Sequence, residues 1–407
     1  MAASTLAVAF LAIAAGSLLY AMPRMAIIPP VIPADSSIHA LPQWPVFYAK
    51  DKLRTALRTV LGLMDSPQSH VYSLATASWQ SEVTYGLTKH GVFDALFPSS
   101  ASCARIAVDL GLDEGFLCRL MNAGEALNLL KKKRTGMFSL APAGDLLRTG
   151  HPSSMAPFVM MTNAECRDGW RATVDDGVRT GKAGFEALFG EEFIQWHSRD
   201  ENTHKMSTFD LAMKGLSSAT GSIVGEWVPP ANDSIICDLG GGLGHELLEM
   251  LRHYPEMKGI LLEKPMVCAG AEMHVASAGL SSRVHVVAGD LLASTLHNSL
   301  KTCDVFYLKF ILHGFGDSAC SRLLSKIADV AKSGARIVTT DFIRGTQGPE
   351  SEKTKALMDI NMMAVTTSGR ERSFPEFLDL FRAAGIKEKP RMVKMRGLLS
   401  SIEVKLS

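Results

Sequence analysis

A chain of 407 residues that is 47% hydrophobic and 20% charged has the apolar material for about two to three packed domains, which excludes a chain disordered throughout. Its 42 lysines and arginines stand against 41 aspartates and glutamates, so no overall field draws it to nucleic acid or to an acidic partner, and a small molecule is the expected ligand. The seven cysteines, at 103, 118, 166, 237, 268, 303 and 320, form neither a C-x-x-C pair nor a compact disulfide pattern and are expected to be reduced thiols.

Residues 1–25 open with no side-chain charge from Met1 to Pro23, and residues 2–22 make an alanine-rich apolar run of near-spanning length before Arg24. A cleaved signal ordinarily carries a basic first region, which is missing. The expectation is therefore an uncleaved membrane anchor, with Arg24, Lys50, Lys52 and Arg54 favouring a cytosolic catalytic side. Organelle targeting or the secretory pathway is the alternative. Residues 26–68 follow as a tether containing Pro29, Pro30, Pro33, Pro42 and Pro45.

Residues 69–163 are mostly helical in pattern, with short helices over 103–109 and 113–127 and a hairpin over 129–140. That hairpin carries Lys131, Lys132, Lys133 and Arg134, which invites a DNA reading. Four adjacent cations more often make a solvated turn, and without a basic excess in the chain no nucleic acid is expected. Residues 164–407 begin with a helical connector whose Trp170 and Phe185 read as core. His245-Glu246-Leu247-Leu248-Glu249 narrowly misses a zinc-protease motif, because Glu249 replaces the second histidine, so no metal site is expected.

The apolar run from Ile235 ends in Asp238 and a glycine-dense turn, Gly240, Gly241, Gly242 and Gly244, before helical spacing from Glu246 to Tyr254. This strand, turn and helix reads as a cofactor loop, since glycines permit a backbone approach that a Cβ forbids. A nicotinamide fingerprint wants a small residue where His245 stands, which weakens that alternative. Two further strands end in acids, residues 259–263 at Glu263 and residues 283–288 at Gly289-Asp290. Glu263, some twenty residues past the glycines, suits ribose hydroxyls, and Asp290 can accept from an adenine amino group. Open parallel sheets bind at the carboxyl ends of their strands, so Asp238, Glu263 and Asp290 converge on one crevice.

The spelling D-x-G-x-G-x-G over Asp238, Gly240, Gly242 and Gly244 resembles the first motif of class I S-adenosylmethionine-dependent methyltransferases. The segment Leu308-Lys309-Phe310-Ile311-Leu312-His313 makes the resemblance specific, to small-molecule O-methyltransferases of the caffeate and acetylserotonin type. That resemblance implies an α/β fold: a Rossmann-like seven-stranded sheet with a C-terminal antiparallel hairpin, preceded by a winged-helix-like dimerisation domain in which residues 85–96 match the dimerisation segment. It further implies a homodimer, S-adenosyl-L-methionine as cofactor and a small hydroxylated aromatic acceptor. His313 becomes the general base, with Glu371 and Asp341 as acidic partners. Ser217, Leu291 and Lys309 join the cofactor residues, while Met213, Phe310, Met362 and Thr366 fall in the acceptor pocket. Two positions depart from the pattern: Gly314 stands where aspartate is usual, and Asp341 where the longer glutamate is common. They leave open a relative that binds the cofactor with impaired transfer.

Overall fold

The computed structural model describes residues 52–407 apart from 58, 59, 63, 225, 347, 348, 394 and 396. By backbone packing the chain divides into two compact units, Met1–Trp79 and Gln80–Ser407. In the first, residues 52–57 and 60–62 are helical, and Val71, Tyr72, Leu74 and Trp79 are exposed apolar side chains. Among the described residues no helix is long and apolar enough to cross a membrane. That finding corrects the expected membrane-anchored localisation, whose carrier, residues 2–22, lies outside the described residues together with most of the tether.

The second unit begins with a small sheet of β1 (Ala101–Ser102), β2 (Leu130–Lys132) and β3 (Met137–Leu140), in the order β1-β3-β2. Gly136, at φ 80°, turns the hairpin, and Lys131 to Arg134 are all exposed, as a solvated turn requires. The helices Cys103–Leu110 and Glu114–Ala126 start on side-chain caps from Ser102 and Asp113. They close over Leu87, Phe93, Ile106, Met121 and Phe138.

The seven-stranded sheet has the order β6-β5-β4-β7-β8-β10-β9. Its strands are β4 (Ile235–Leu239), β5 (Lys258–Glu263), β6 (Val284–Ala288), β7 (Val305–Lys309), β8 (Arg336–Asp341), β9 (Arg391–Val393) and β10 (Ser400–Lys405). β4 to β8 run parallel, and the β9–β10 hairpin closes the edge antiparallel to β8. Alternation along each strand feeds two cores. Cys237, Leu239, Phe306, Leu308 and Ile337 meet helices Asp317–Val330 and Phe374–Ala383 on one face. Ile236, Val305, Tyr307 and Val338 meet helices His245–His253 and Pro265–Ser277 on the other. Each fully buried leucine or phenylalanine contributes about 1.5–3 kcal/mol relative to leaving it exposed. Strand order reverses between β4 and β7, and a doubly wound sheet opens its ligand crevice at that point.

Four cysteines depart from the expectation of free thiols. Cys103 and Cys118 form a disulfide across the two small helices, at a Cα separation of 5.2 Å. Cys237 on β4 is bonded to Cys303, just before β7, at 5.9 Å. Sequence spacing hides the second pair, because the chain between them, at a sequence separation of 66, folds away as two complete strand–helix crossings. Cys166, Cys268 and Cys320 are unpaired thiols.

The connector helices Glu165–Ala172 and Gly184–Phe189 cross so closely that a Cβ on Gly184 would collide with the Gly169 carbonyl and the Thr173 amide. Phe185 is fully buried beside that crossing, as its core reading requires. Overpacking of this kind costs about 1–3 kcal/mol, so Gly184→Ala is expected to lower the thermal unfolding midpoint. An unchanged midpoint by calorimetry would show that the helices separate freely.

Candidate active site

Residues 240–244 leave β4 in a turn that only glycine makes without strain: Gly240, Gly242 and Gly244 lie at φ 75°, 59° and 80°. Gly240 N–H donates to the Leu262 carbonyl at 2.8 Å, tying the turn to β5. Glu263 accepts from Gly242 N–H at 3.0 Å and from Lys264 N–H at 2.8 Å, so its carboxylate is braced against the glycine turn. A Cβ at Gly242 would meet nothing within 4 Å, which leaves the turn open on that side.

Asp238 is buried below that turn, and its Oδ2 has no hydrogen-bond partner. Burial, reinforced by the charges of Glu246 and Glu263 and opposed by Lys309, pushes its carboxyl up to about 8. Asp290 is exposed and accepts from Leu292 N–H at 2.8 Å, while the Leu291 side chain lies against Gly240. A buried acid without a partner, a braced carboxylate and an open glycine turn fit a ligand that is cationic and rich in hydroxyl and amino donors, as S-adenosylmethionine is.

Helix Thr203–Thr220 carries Asp210, Met213 and Ser217 at spacings of three and four, on one face. Asp210 was not among the expected residues; burial and then the charge of Glu263 raise it to about 7, which places it within electrostatic reach of the crevice. Lys309, expected among the cofactor residues, is also bound to the protein itself. Its ammonium donates to Glu246 Oε2 at 2.8 Å and to the Gly221 carbonyl at 3.2 Å, with only 7% and 11% of the two side chains exposed. Glu246 also accepts from Ser222 Oγ and Ile223 N–H, so it fastens helix His245–His253 to the chain leaving helix Thr203–Thr220. The available signal was an acid at the first turn of a helix otherwise apolar on its inner face.

Beyond β7 the chain reverses at Phe310, one of two non-glycine residues at positive φ among those described (56°), and enters the turn Leu312–Gly314. His313 Nδ1 lies 2.8 Å from Glu371 Oε1, with the imidazole 13% exposed and the carboxylate fully buried. A carboxylate can only accept, so Nδ1 carries the hydrogen and Nε2 keeps its lone pair. Phe310 stacks on the imidazole at 5.5 Å and on Phe342 at 5.3 Å. Burial lowers the His313 pKa, but the charge and hydrogen bond of Glu371 outweigh it and hold it above the ordinary 6.5.

Asp341 is the other acidic partner expected of His313. It is buried near the histidine, yet Oδ2 accepts from Thr339 Oγ1 at 2.8 Å and Oδ1 has no partner. Its side chain is one methylene shorter than glutamate and makes no hydrogen bond to the imidazole; burial, with Glu371 adding, raises it to about 7. Asp359 takes a positioning contact that sequence reasoning missed, accepting from Glu371 N–H at 2.8 Å. Met362 is buried on the same helix, Pro349–Val365, and the Thr366 hydroxyl is spent on the Met362 carbonyl and on Gly369 N–H. Trp170 donates to Asn361 Oδ1 at 2.8 Å, joining the connector to that helix.

The model of the O-methyltransferase domain family matches residues 170–387. The chain is 27% identical over 328 residues to 3-amino-4-hydroxybenzoate 4-O-methyltransferase of Streptomyces cremeus, covering 79% of this chain and 86% of that one. It is 28% identical to acetylserotonin O-methyltransferase of Rattus norvegicus over 334 residues, 80% and 74% of the two chains. The solved structure of human N-acetylserotonin methyltransferase in complex with SAM superposes with a TM-score of 0.75 at 24% identity, covering 84% and 98%, and shares the fold. These similarities set the nicotinamide alternative aside. With a family model spanning more than half of it, the chain belongs to the O-methyltransferase family and is an S-adenosylmethionine-dependent methyltransferase.

Proposed function

We propose that this protein transfers a methyl group to a hydroxyl of a small aromatic acceptor, with His313 as general base. The observation that carries the reading is the 2.8 Å contact between His313 and the buried Glu371, one strand from the glycine turn. S-adenosylmethionine, when bound, supplies a sulfonium methyl group open to attack by oxygen. Gly240, Gly242 and Gly244 give it backbone room, Asp238, Glu263, Asp290 and Ser217 offer acceptors, Leu291 packs the base, and Lys309 acts through its pair with Glu246.

A phenol with a pKa near 10 is a weak nucleophile at neutral pH, and His313 Nε2 takes its proton as attack begins. Glu371 holds Nδ1–H and stabilises the imidazolium that forms, as in other carboxylate–histidine pairs. Base help of this kind is worth about 10²–10⁴-fold, and holding two reactants in register supplies about 7–11 kcal/mol. Met213, Phe310, Met362 and Thr366 are assigned to the acceptor, a mostly apolar set suited to a flat ring. Residues 69–163 are assigned to pairing two subunits, a role that the exposed Val71, Tyr72, Leu74 and Trp79 support.

The test follows labelled methyl transfer from S-adenosylmethionine into a panel of hydroxylated aromatics, alongside a thermal shift with S-adenosylhomocysteine. Transfer to a ring hydroxyl is the expected result. A thermal shift without transfer to any acceptor would overturn it in favour of a cofactor-binding relative.

A pH dependence follows from the His313–Glu371 pair. The neutral imidazole is the active form, so kcat/KM is expected to rise with pH to a midpoint above 6.5. Glu371→Gln removes the charge that raises it while burial still lowers it, so the midpoint moves down. Stability runs the other way: the imidazolium's contribution is complete below the unfolded pKa and is lost as pH rises through the folded value. A rate profile whose acid limb ignores Glu371→Gln would disprove the coupling.

A further inference from the structure

We infer that Arg372 is a positioning residue for methyl transfer: its guanidinium holds the turn that carries His313 so that the imidazole keeps its place against Glu371. The inference rests on His313 being the base. Within the turn two backbone bonds form, Gly314 N–H to the Ile311 carbonyl at 3.1 Å and Phe315 N–H to the Leu312 carbonyl at 3.3 Å, with Leu312 buried beneath. Gly314 follows the histidine directly, a Cβ there would meet nothing within 4 Å, and Phe310 enters the turn through a left-handed backbone. Its further support comes from residues 370–372, which lie alongside.

Those three residues make three different attachments. Arg370 N–H donates to the His313 carbonyl at 2.8 Å. Glu371 binds the imidazole. Arg372, with no side-chain surface exposed, donates from Nη1 to the Leu312 carbonyl and from Nη2 to the Phe315 carbonyl, each at 2.7 Å. The carbonyls on both sides of the His313–Gly314 pair are thus gripped by one planar group. Its Nε and Nη2 are fixed in turn on Asp317 Oδ1, at 2.9 and 2.8 Å, where helix Asp317–Val330 begins. Cys320 Sγ adds a weaker contact to the Leu312 carbonyl at 3.2 Å.

Only a guanidinium has the rigid fork of donors to reach two carbonyls and a carboxylate at once; an ammonium can keep the charge without the span. Burying such a cation is costly, and a guanidinium that merely filled space would be replaceable by an apolar side chain. Here the chain also commits the neighbouring residue to the imidazole, so Arg372 and Glu371 move together.

The experiment uses the full chain and its Arg372→Lys, Arg372→Met, Asp317→Asn and His313→Ala variants, with kcat, the KM for S-adenosylmethionine, the acid limb of kcat/KM and the unfolding midpoint read for each. Displacing a catalytic group by about 1 Å costs up to about a hundredfold, so Arg372→Lys is expected to lose about tenfold to a hundredfold in kcat with the donor KM little changed. Arg372→Met also removes a nearby cation, so its acid limb moves to higher pH while that of Arg372→Lys, which keeps the charge, stays; a mere loss of folded protein would scale the rate without moving either limb. If both Arg372 variants keep the parent kcat and limb, whatever their midpoints, the inference is wrong. If neither folds, Asp317→Asn decides, since its carboxylate is half-exposed: a lowered kcat supports the inference and an unchanged one overturns it. Full activity in His313→Ala would instead remove the base reading, and this inference with it.

Discussion

His313→Ala is expected to lower kcat by at least about a hundredfold while S-adenosylmethionine still binds, because the phenol proton then loses the imidazole assigned to take it. The loss corresponds to about 3–5 kcal/mol of barrier. The substitution also leaves Glu371 fully buried without its one side-chain partner, and its Oε2 has none to begin with. A buried charge stripped of its partner destabilises the fold, so the unfolding midpoint falls too, and the kinetic effect must be read on protein shown to be folded by cofactor titration. A double variant separates the two causes. Glu371→Gln in a His313→Ala background is expected to recover stability and leave the rate where the single variant put it, since an orienting group has nothing left to orient. Single-turnover rates for all four proteins make the cycle; a parent rate in His313→Ala would rule out this base.

The second large effect is at the glycine turn. Gly240→Ala places a Cβ at φ 75°, which costs about 1–2 kcal/mol of backbone strain, and brings it to 2.6 Å from Ile311 Cδ1 and 3.4 Å from Leu291 Cδ1. Crowding of that kind adds about 1–3 kcal/mol. Because the strain sits in the loop, S-adenosylmethionine binding is expected to weaken by at least about tenfold, which is about 1.4 kcal/mol of the total. Gly242→Ala is the instructive companion: it has the same sign of φ, yet its Cβ meets nothing in the protein. It should therefore disturb the empty protein less than Gly240→Ala and still weaken binding, if the open space at Gly242 is where the cofactor lies. Isothermal titration of both variants checks this; equal parent-like affinity would move the cofactor away from the turn.

Much of this architecture was legible because a buried parallel strand must be apolar and must then stop. Runs ending at Asp238, Glu263 and Gly289-Asp290 mark three of the five parallel strands, and those acids mark the crevice. The closing hairpin was legible through the family resemblance. Contacts between distant positions were not legible. Nothing near Cys237 announces Cys303, and no local spacing ties Glu246 to Lys309 or Asp359 to Glu371. Asp341 shows the same limit at close range: its identity is readable, but whether a shorter acid reaches the imidazole depends on a backbone path only the fold settles.

Helix Thr203–Thr220 presents Asp210, Met213 and Ser217 along one side, so the residues assigned to donor and acceptor share a single rod. A turn of helix cannot tilt at Met213 without carrying Ser217 with it. On those assignments each ligand would sense the other through that rod, and thermodynamics would make the exchange symmetrical: an acceptor that changes donor affinity by some factor has its own affinity changed by the same factor.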